Sequence, residues 1–276
     1  MAIGGGGWVI LGGVSGLADA IEENHLRVSE VVGTSGGAIA AAEIAGEYSA
    51  DEIYEINANV QTLREYFSGK SLKEIINSRD KVTIEPIIDE LSQSIDAKRV
   101  KDSDVGLGIT TVELFFSSRV DQGLTLGAVA LGRYVPFLKT GRTFYKEDLS
   151  TDELKLAIAA SNNNPFAFSH GVKLRGKEQW DGGMDNQLPL DGLRNVSEDT
   201  VILGVKNKFG VEAHERANVT KRFREHPRYV EINFGDLPVG TFDFGKDAKR
   251  VRTQSYDIAQ YAIETARAGG VNIPRK

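Results

Sequence analysis

The sequence has 276 residues, 41% of them apolar and 26% charged, with no cysteine and a net charge of −6. That balance suits one large globular domain or two small ones. It excludes a disulfide framework, thiol catalysis and Cys-based metal sites, and it argues against a general nucleic-acid surface, which needs positive charge. No apolar run reaches the ~18 residues of a membrane span, and the first residues lack the basic start of a secretory signal. The expectation is a cytoplasmic protein, or one exported by a route that leaves no Sec signal, folded as one domain over residues 1–276.

Residues 8–11 (Trp-Val-Ile-Leu) predict a short buried strand entering Gly12-Gly13. Leu17, Ala18, Ala20 and Ile21 predict a short helix over 15–24, and residues 28–32 a second strand. Gly33-Thr34-Ser35-Gly36-Gly37 follows at once, then an Ala-rich helix ending at Gly46, a natural C-cap. Strand–loop–helix–strand–turn–helix is the pattern of a parallel sheet covered by helices. Residues 50–100 read as packing helices. Ile53, Ile56 and Val60, then Leu72, Ile75 and Ile76, stand at helical spacing, and Pro86 opens a helix over 86–95. Further on, strands are predicted at 105–116 and 124–131, a helix at 150–160, and a hairpin-like stretch at 172–180 around Arg175-Gly176. Buried strands at 201–205 and 229–232 precede a long helix over 247–268. The fold class expected is α/β, three-layered, with a mainly parallel central sheet.

Gly33-Thr34-Ser35-Gly36-Gly37 fits G-x-S-x-G between a strand and a helix, the context a nucleophile elbow requires. A sharp turn there strains the serine backbone, flanking glycines remove clashing Cβ atoms, and the hydroxyl projects into open space. The bland alternative is a tight turn with a buried serine. A second Gly-rich loop, Gly12-Gly13-Val14-Ser15-Gly16, offers backbone N–H groups for an oxyanion. It matches neither a dinucleotide loop, since Leu11 replaces the first glycine, nor a Walker loop. Asp181, followed by Gly182-Gly183, is the candidate base, its basicity raised by desolvation against Trp180. Standing alone, Asp-Gly-Gly is more often a β-turn.

Together these residues resemble the patatin-like phospholipases, a family of lipid acyl hydrolases. The resemblance spans roughly residues 8–265. It rests on Gly33 to Gly37, on Ala160-Ser161 with Pro165, and on Asp181-Gly182-Gly183 with Asn186 and Pro189. It implies a patatin-like domain with a Ser35–Asp181 dyad, no histidine, and no metal or organic cofactor. The substrate implied is a phospholipid or another acyl-ester lipid met at a peripheral membrane surface. The family's first loop reads G-G-G-x-Arg/Lys-G. Placing Gly16 on its last glycine makes Gly12, Gly13 and Val14 the oxyanion donors, with Ser15 in the basic position. Using Gly5, Gly6 and Gly7 instead would leave almost no strand and would bury Gly12-Gly13 in a helix, so the first placement is preferred.

Three other readings remain open. A Ser–Asp–His triad would use His214 or His226, both in a charged stretch. A weakened family member would bind rather than cleave. The same dyad would also serve acyl transfer to an acceptor other than water. An apolar membrane rim would draw on Phe115-Phe116, residues 134–138 and Phe166-Ala167-Phe168, and anionic headgroups on Lys221, Arg222, Arg224 and Arg228. Core packing and a solvated face are the simpler readings of both sets.

Overall fold

The structure is a computed structural model that describes residues 1–60, 64–66, 83, 85–114, 139–165, 167–207, 217–241 and 243–273. Its strands are β1 (Ala2–Ile3), β2 (Glu30–Thr34), β3 (Gly106–Leu114), β4 (Lys139–Tyr145), β5 (Val172–Leu174), β6 (Lys177–Asp181), β7 (Ile202–Lys206) and β8 (Tyr229–Asn233). Its helices are α1 (Trp8–Glu23), α2 (Gly36–Ala45), α3 (Ala50–Ala58), α4 (Glu85–Ser94), α5 (Ala97–Asp102), α6 (Thr151–Ser161), α7 (Ala217–Arg224) and α8 (Ala248–Ala268). Two helix starts are written into the sequence as reciprocal capping boxes: Ser49 with Glu52 opens α3, and Ser150 with Glu153 opens α6.

Five strands run parallel in the order β3-β2-β1-β7-β8. β4 and the β5–β6 hairpin join antiparallel at β3. The fold is therefore α/β with a mainly parallel central sheet flanked by helices, as expected. Strand alternation sends Ile3, Val31, Leu107, Ile109, Val205 and Ile232 into the larger core, under α1, α2, α6 and α8. Ala2, Val32 and Ile202 point the other way, against Leu188, Leu190, Leu193 and Phe223.

The predicted elements at 36–45, 85–94, 106–114, 151–161, 172–181, 202–206, 229–233 and 248–268 form within a residue or two of expectation. The strand predicted at 8–11 does not: those residues are the first turn of α1. The strand that feeds the first Gly-rich loop is Ala2–Ile3, only two residues long and paired with β2 on one side and β7 on the other. Gly12 and Gly13 are then helical, a cost of about 1 kcal/mol each relative to alanine. Close packing offsets it. A Cβ on Gly12 would meet the Trp8 ring at 2.9 Å, one on Gly13 the Phe234 ring at 2.8 Å, and one on Gly16 the Arg252 carbonyl oxygen at 2.2 Å. Gly12 and Gly16 let α1 and α8 approach closely, Gly13 admits the Phe234 ring, and Arg252 locks the helix pair by donating to both carboxylate oxygens of Asp19, at 2.7 and 2.8 Å. β4 had no counterpart among the predicted elements. The strand predicted at 124–131 and the helical spacing at 72–76 lie outside the described residues.

Candidate active site

Three strands meet at one step of β3. β2 ends with Thr34 opposite Thr110. β6 arrives antiparallel along the same edge and ends with Asp181 opposite Thr111. The other edge of β3 is occupied by β4 over the same residues, so β2 and β6 meet head to head. This brings Ser35 and Asp181 together across 146 positions of sequence, and the Ser35 hydroxyl donates to Asp181 Oδ2 at 3.0 Å.

Ser35 sits between β2 and α2 with φ 54° and ψ −133°, a conformation that costs a non-glycine residue about 1–3 kcal/mol. The surroundings enforce it. A Cβ on Gly33 would lie 2.0 Å from the Gly37 carbonyl oxygen, and one on Gly37 would lie 2.3 Å from that of Ile3. Only glycine at both positions lets the chain reverse this tightly against β1. The Ser35 N–H donates to Ser161 Oγ at 2.9 Å, and that hydroxyl donates in turn to the Thr110 carbonyl at 2.6 Å. Ser161, fully buried, thus ties the strained turn to β3. Ser161→Ala leaves that N–H without its partner. The expected result is a fall of about tenfold or more in turnover with the melting temperature reduced by only a few degrees, read by ester hydrolysis and thermal melting.

Asp181 is buried and its carboxyl is pushed up to about 6, because desolvation outweighs hydrogen bonds from the Gly183 N–H, Ser35 and the Asn164 side chain. The Gly183 bond is 2.8 Å, to Oδ1. Alternation along β6 sends Trp180 to the opposite face, where its indole packs against Gly171. The carboxyl's desolvation comes from its burial. Asp181-Gly182-Gly183 turns through a short 3₁₀ segment, 182–184, immediately after β6.

The first Gly-rich loop is not where the preferred placement put it. Gly12, Gly13 and Val14 lie inside α1, buried, with their N–H groups committed to the helix. The loop beside Ser35 is Gly4 to Gly7, which contains Gly5, Gly6 and Gly7, the triplet of the alternative placement. Gly4 and Gly5 donate to the carbonyls of Val205 and Gln187, and Trp8 donates to that of Thr241. The N–H groups of Gly6 and Gly7 find no acceptor among the described residues. Gly7 has φ 52°, and its backbone abuts the elbow: a Cβ on Gly36 would stand 3.1 Å from Gly7 N. The basic position of the family pattern then falls on Val9, so the departure from Arg or Lys persists. A run of four glycines directly before an amphipathic stretch was the signal in the sequence.

His226 lies at the far side of β7, its Nε2 3.1 Å from the Ser197 carbonyl oxygen, and His170 pairs with Glu85 at 3.0 Å. Neither is the partner of Ser35 or Asp181. His214 lies outside the described residues. So do Phe115-Phe116, residues 134–138 and Phe166; Phe168 is core, 2% exposed. Lys221 faces Glu225 at 3.6 Å and Arg228 faces Asp199 at 3.0 Å, as on a solvated surface. Among the described residues no helix is long and apolar enough to cross a membrane.

A family model for the patatin-like phospholipases matches residues 1–194, which hold both Ser35 and Asp181. No curated protein matches the chain in sequence. Among solved structures, VipD from Legionella pneumophila is similar over 97% of this chain and 66% of its own, with a TM-score of 0.51 and 13% identity. That likeness concerns the fold, and this chain spans just under two thirds of VipD's length.

Proposed function

The chain belongs to the patatin-like phospholipase family, and we propose that it is a serine lipid acyl hydrolase of phospholipase A type working through a Ser35–Asp181 dyad. The observation that carries this reading is the 3.0 Å hydrogen bond from the Ser35 hydroxyl to a buried carboxylate at a strained strand–helix turn. Ser35 Oγ attacks the acyl carbonyl as Asp181 takes its proton. The N–H groups of Gly6 and Gly7, at the positive end of α1, receive the oxyanion. Asp181 then returns the proton to the leaving alcohol, giving an acyl-enzyme. In the second half it accepts a proton from water, which attacks the ester, and passes that proton to Ser35 Oγ as the fatty acid leaves. The substrate is an acyl-ester lipid met at a membrane surface that the protein touches peripherally. Acyl transfer to another acceptor would use the same first half.

The base sets the pH dependence. With the Asp181 carboxyl pushed up to about 6, the active ionised form is lost as pH falls through that value. Fatty-acid release from phosphatidylcholine vesicles is expected to be level at pH 7–8 and to drop about tenfold per unit below pH 6. A profile level down to pH 4.5 would overturn the assignment. Stability runs the other way. The folded carboxyl holds its proton more tightly than the unfolded one, so this group lowers stability as pH rises from about 4 to 6 and adds no further slope above that. The site is most active where this carboxylate is least stabilising.

A further inference from the structure

Resting on the reading that the Gly6 N–H receives the oxyanion, we propose that Asn207 is a positioning residue: its side-chain amide holds the Gly5–Gly6 peptide with that N–H turned into the site. Asn207 directly follows β7, which runs parallel to β1 with Val205 level with Ile3. Two residues further along the same register, Asn207 stands beside Gly5. The Gly4 N–H carries the pairing one step past β1, donating to the Val205 carbonyl at 2.8 Å. There the side chain takes over: Asn207 Nδ2 donates to the Gly5 carbonyl oxygen at 3.2 Å. A carbonyl only accepts, so the amide must present its nitrogen to it. Asn207 is 2% exposed, and a Cβ on Gly6 would lie 1.9 Å from the same nitrogen. The amide thus packs directly on the peptide it holds. Its place in the chain is beyond residues 1–194, the span that the family model matches.

The Gly5 carbonyl and the Gly6 N–H belong to one peptide unit. No cis peptide bond occurs among the described residues, so the two groups point in opposite directions across a planar unit. Fixing the carbonyl on one side fixes the N–H on the other. A fixing contact is needed, because glycine at both ends lets this plane rotate at little cost. The flanking N–H groups are tied to backbone: that of Gly5 to the Gln187 carbonyl at 2.9 Å, that of Trp8 to the Thr241 carbonyl at 2.8 Å. The bond from Asn207 also polarises the peptide, making the Gly6 N–H a stronger donor to developing negative charge. An amide does not titrate, so the proton affinity of Asp181 is left alone. Loss of Asn207 therefore has its own signature: weaker oxyanion binding with an unchanged base.

The test compares wild type with Asn207→Ala and Asn207→Asp, the second nearly isosteric but without the amide donor. The probe is an alkyl trifluoromethyl ketone. Ser35 Oγ adds to its carbonyl carbon, Asp181 takes the hydroxyl proton, and the ketone oxygen becomes the oxyanion. Fatty-acid release gives kcat, KM and the pH profile, the ketone gives an inhibition constant, and NMR follows the Gly6 and Asn207 side-chain amides. In wild type both amide signals are expected to move when the ketone adds. Each variant is expected to lower kcat by about 10- to 100-fold at nearly constant KM, with the inhibition constant raised by the same factor and the pH midpoint unmoved. A general loosening of the fold would not match the two factors. Wild-type kcat and inhibition constant in a folded variant would overturn the proposal. So would an Asn207 signal that stays put in wild type while the Gly6 amide moves, a result that stands even if neither variant folds. Failure of the underlying reading looks different: wild type forms no ketone adduct, or forms one without moving the Gly6 amide, and the proposal falls with it.

Discussion

Asp181→Asn is expected to lower the acyl-ester kcat by on the order of 10⁴-fold while the protein stays folded, as Ser35→Ala does. Asparagine keeps the size and can still meet the Gly183 N–H through its carbonyl oxygen. It cannot take a proton from Ser35 at neutral pH. Among the described residues no histidine stands beside Ser35 to substitute as base, so the loss is expected to be nearly complete. Removing the buried charge also removes its desolvation cost, so the melting temperature at pH 8 is expected to stay level or rise. In the proposed dyad the two residues act as one unit, so the double variant Ser35→Ala/Asp181→Asn is expected to lose no more than either single variant. Every His→Ala variant is expected to retain turnover. Steady-state kinetics with circular dichroism reads all of these.

Gly33→Ala is expected to be nearly as damaging, through the backbone alone. Its Cβ would stand 2.0 Å from the Gly37 carbonyl oxygen and 2.7 Å from Ala41 Cβ, and the first of these is backbone that cannot rotate away. Either the first turn of α2 moves off β2 or Ser35 leaves its φ of 54°. Both carry the hydroxyl away from Asp181, and a misplacement of about 1 Å is enough to cost roughly 100-fold in rate. Overpacking of this kind costs about 1–3 kcal/mol, so the melting temperature is expected to fall by roughly 3–10 °C. Gly106→Ala is the control. A Cβ there meets Glu30 Cγ at 3.4 Å, an ordinary contact in the same sheet, and activity is expected to be unchanged.

Much of this was readable in the sequence. β2, the elbow and α2 are adjacent in the chain, so strand pattern, glycines and Ala-rich helix identify them locally. The Asp-Gly-Gly turn also reads locally, as do β7, β8 and α8. The first loop failed because a short apolar run fits a strand or a buried helix equally well, and 8–11 is too brief to show a period. Its glycines looked like loop residues because their partners, Phe234 and Arg252, lie more than 200 positions away. β1 has two residues and no pattern to read. β4 reads Lys-Thr-Gly-Arg-Thr-Phe-Tyr, without the apolar alternation that marks a strand, and is fixed by its partner β3. The meeting of β6 with β2 along one edge of β3 is likewise a product of long-range pairing. The sequence therefore names both members of the proposed dyad without showing why they touch.

The central claim is that Ser35 is a nucleophile activated by Asp181. Its most direct test is to treat the folded protein with an alkyl fluorophosphonate and map the product by peptide mass spectrometry, in wild type, Ser35→Ala and Asp181→Asn. The expected result is a single phosphonyl adduct on Ser35 in wild type, none in Ser35→Ala, and labelling slowed at least 100-fold in Asp181→Asn. An adduct on a different serine, or equal labelling rates with and without the Asp181 carboxylate, would contradict it.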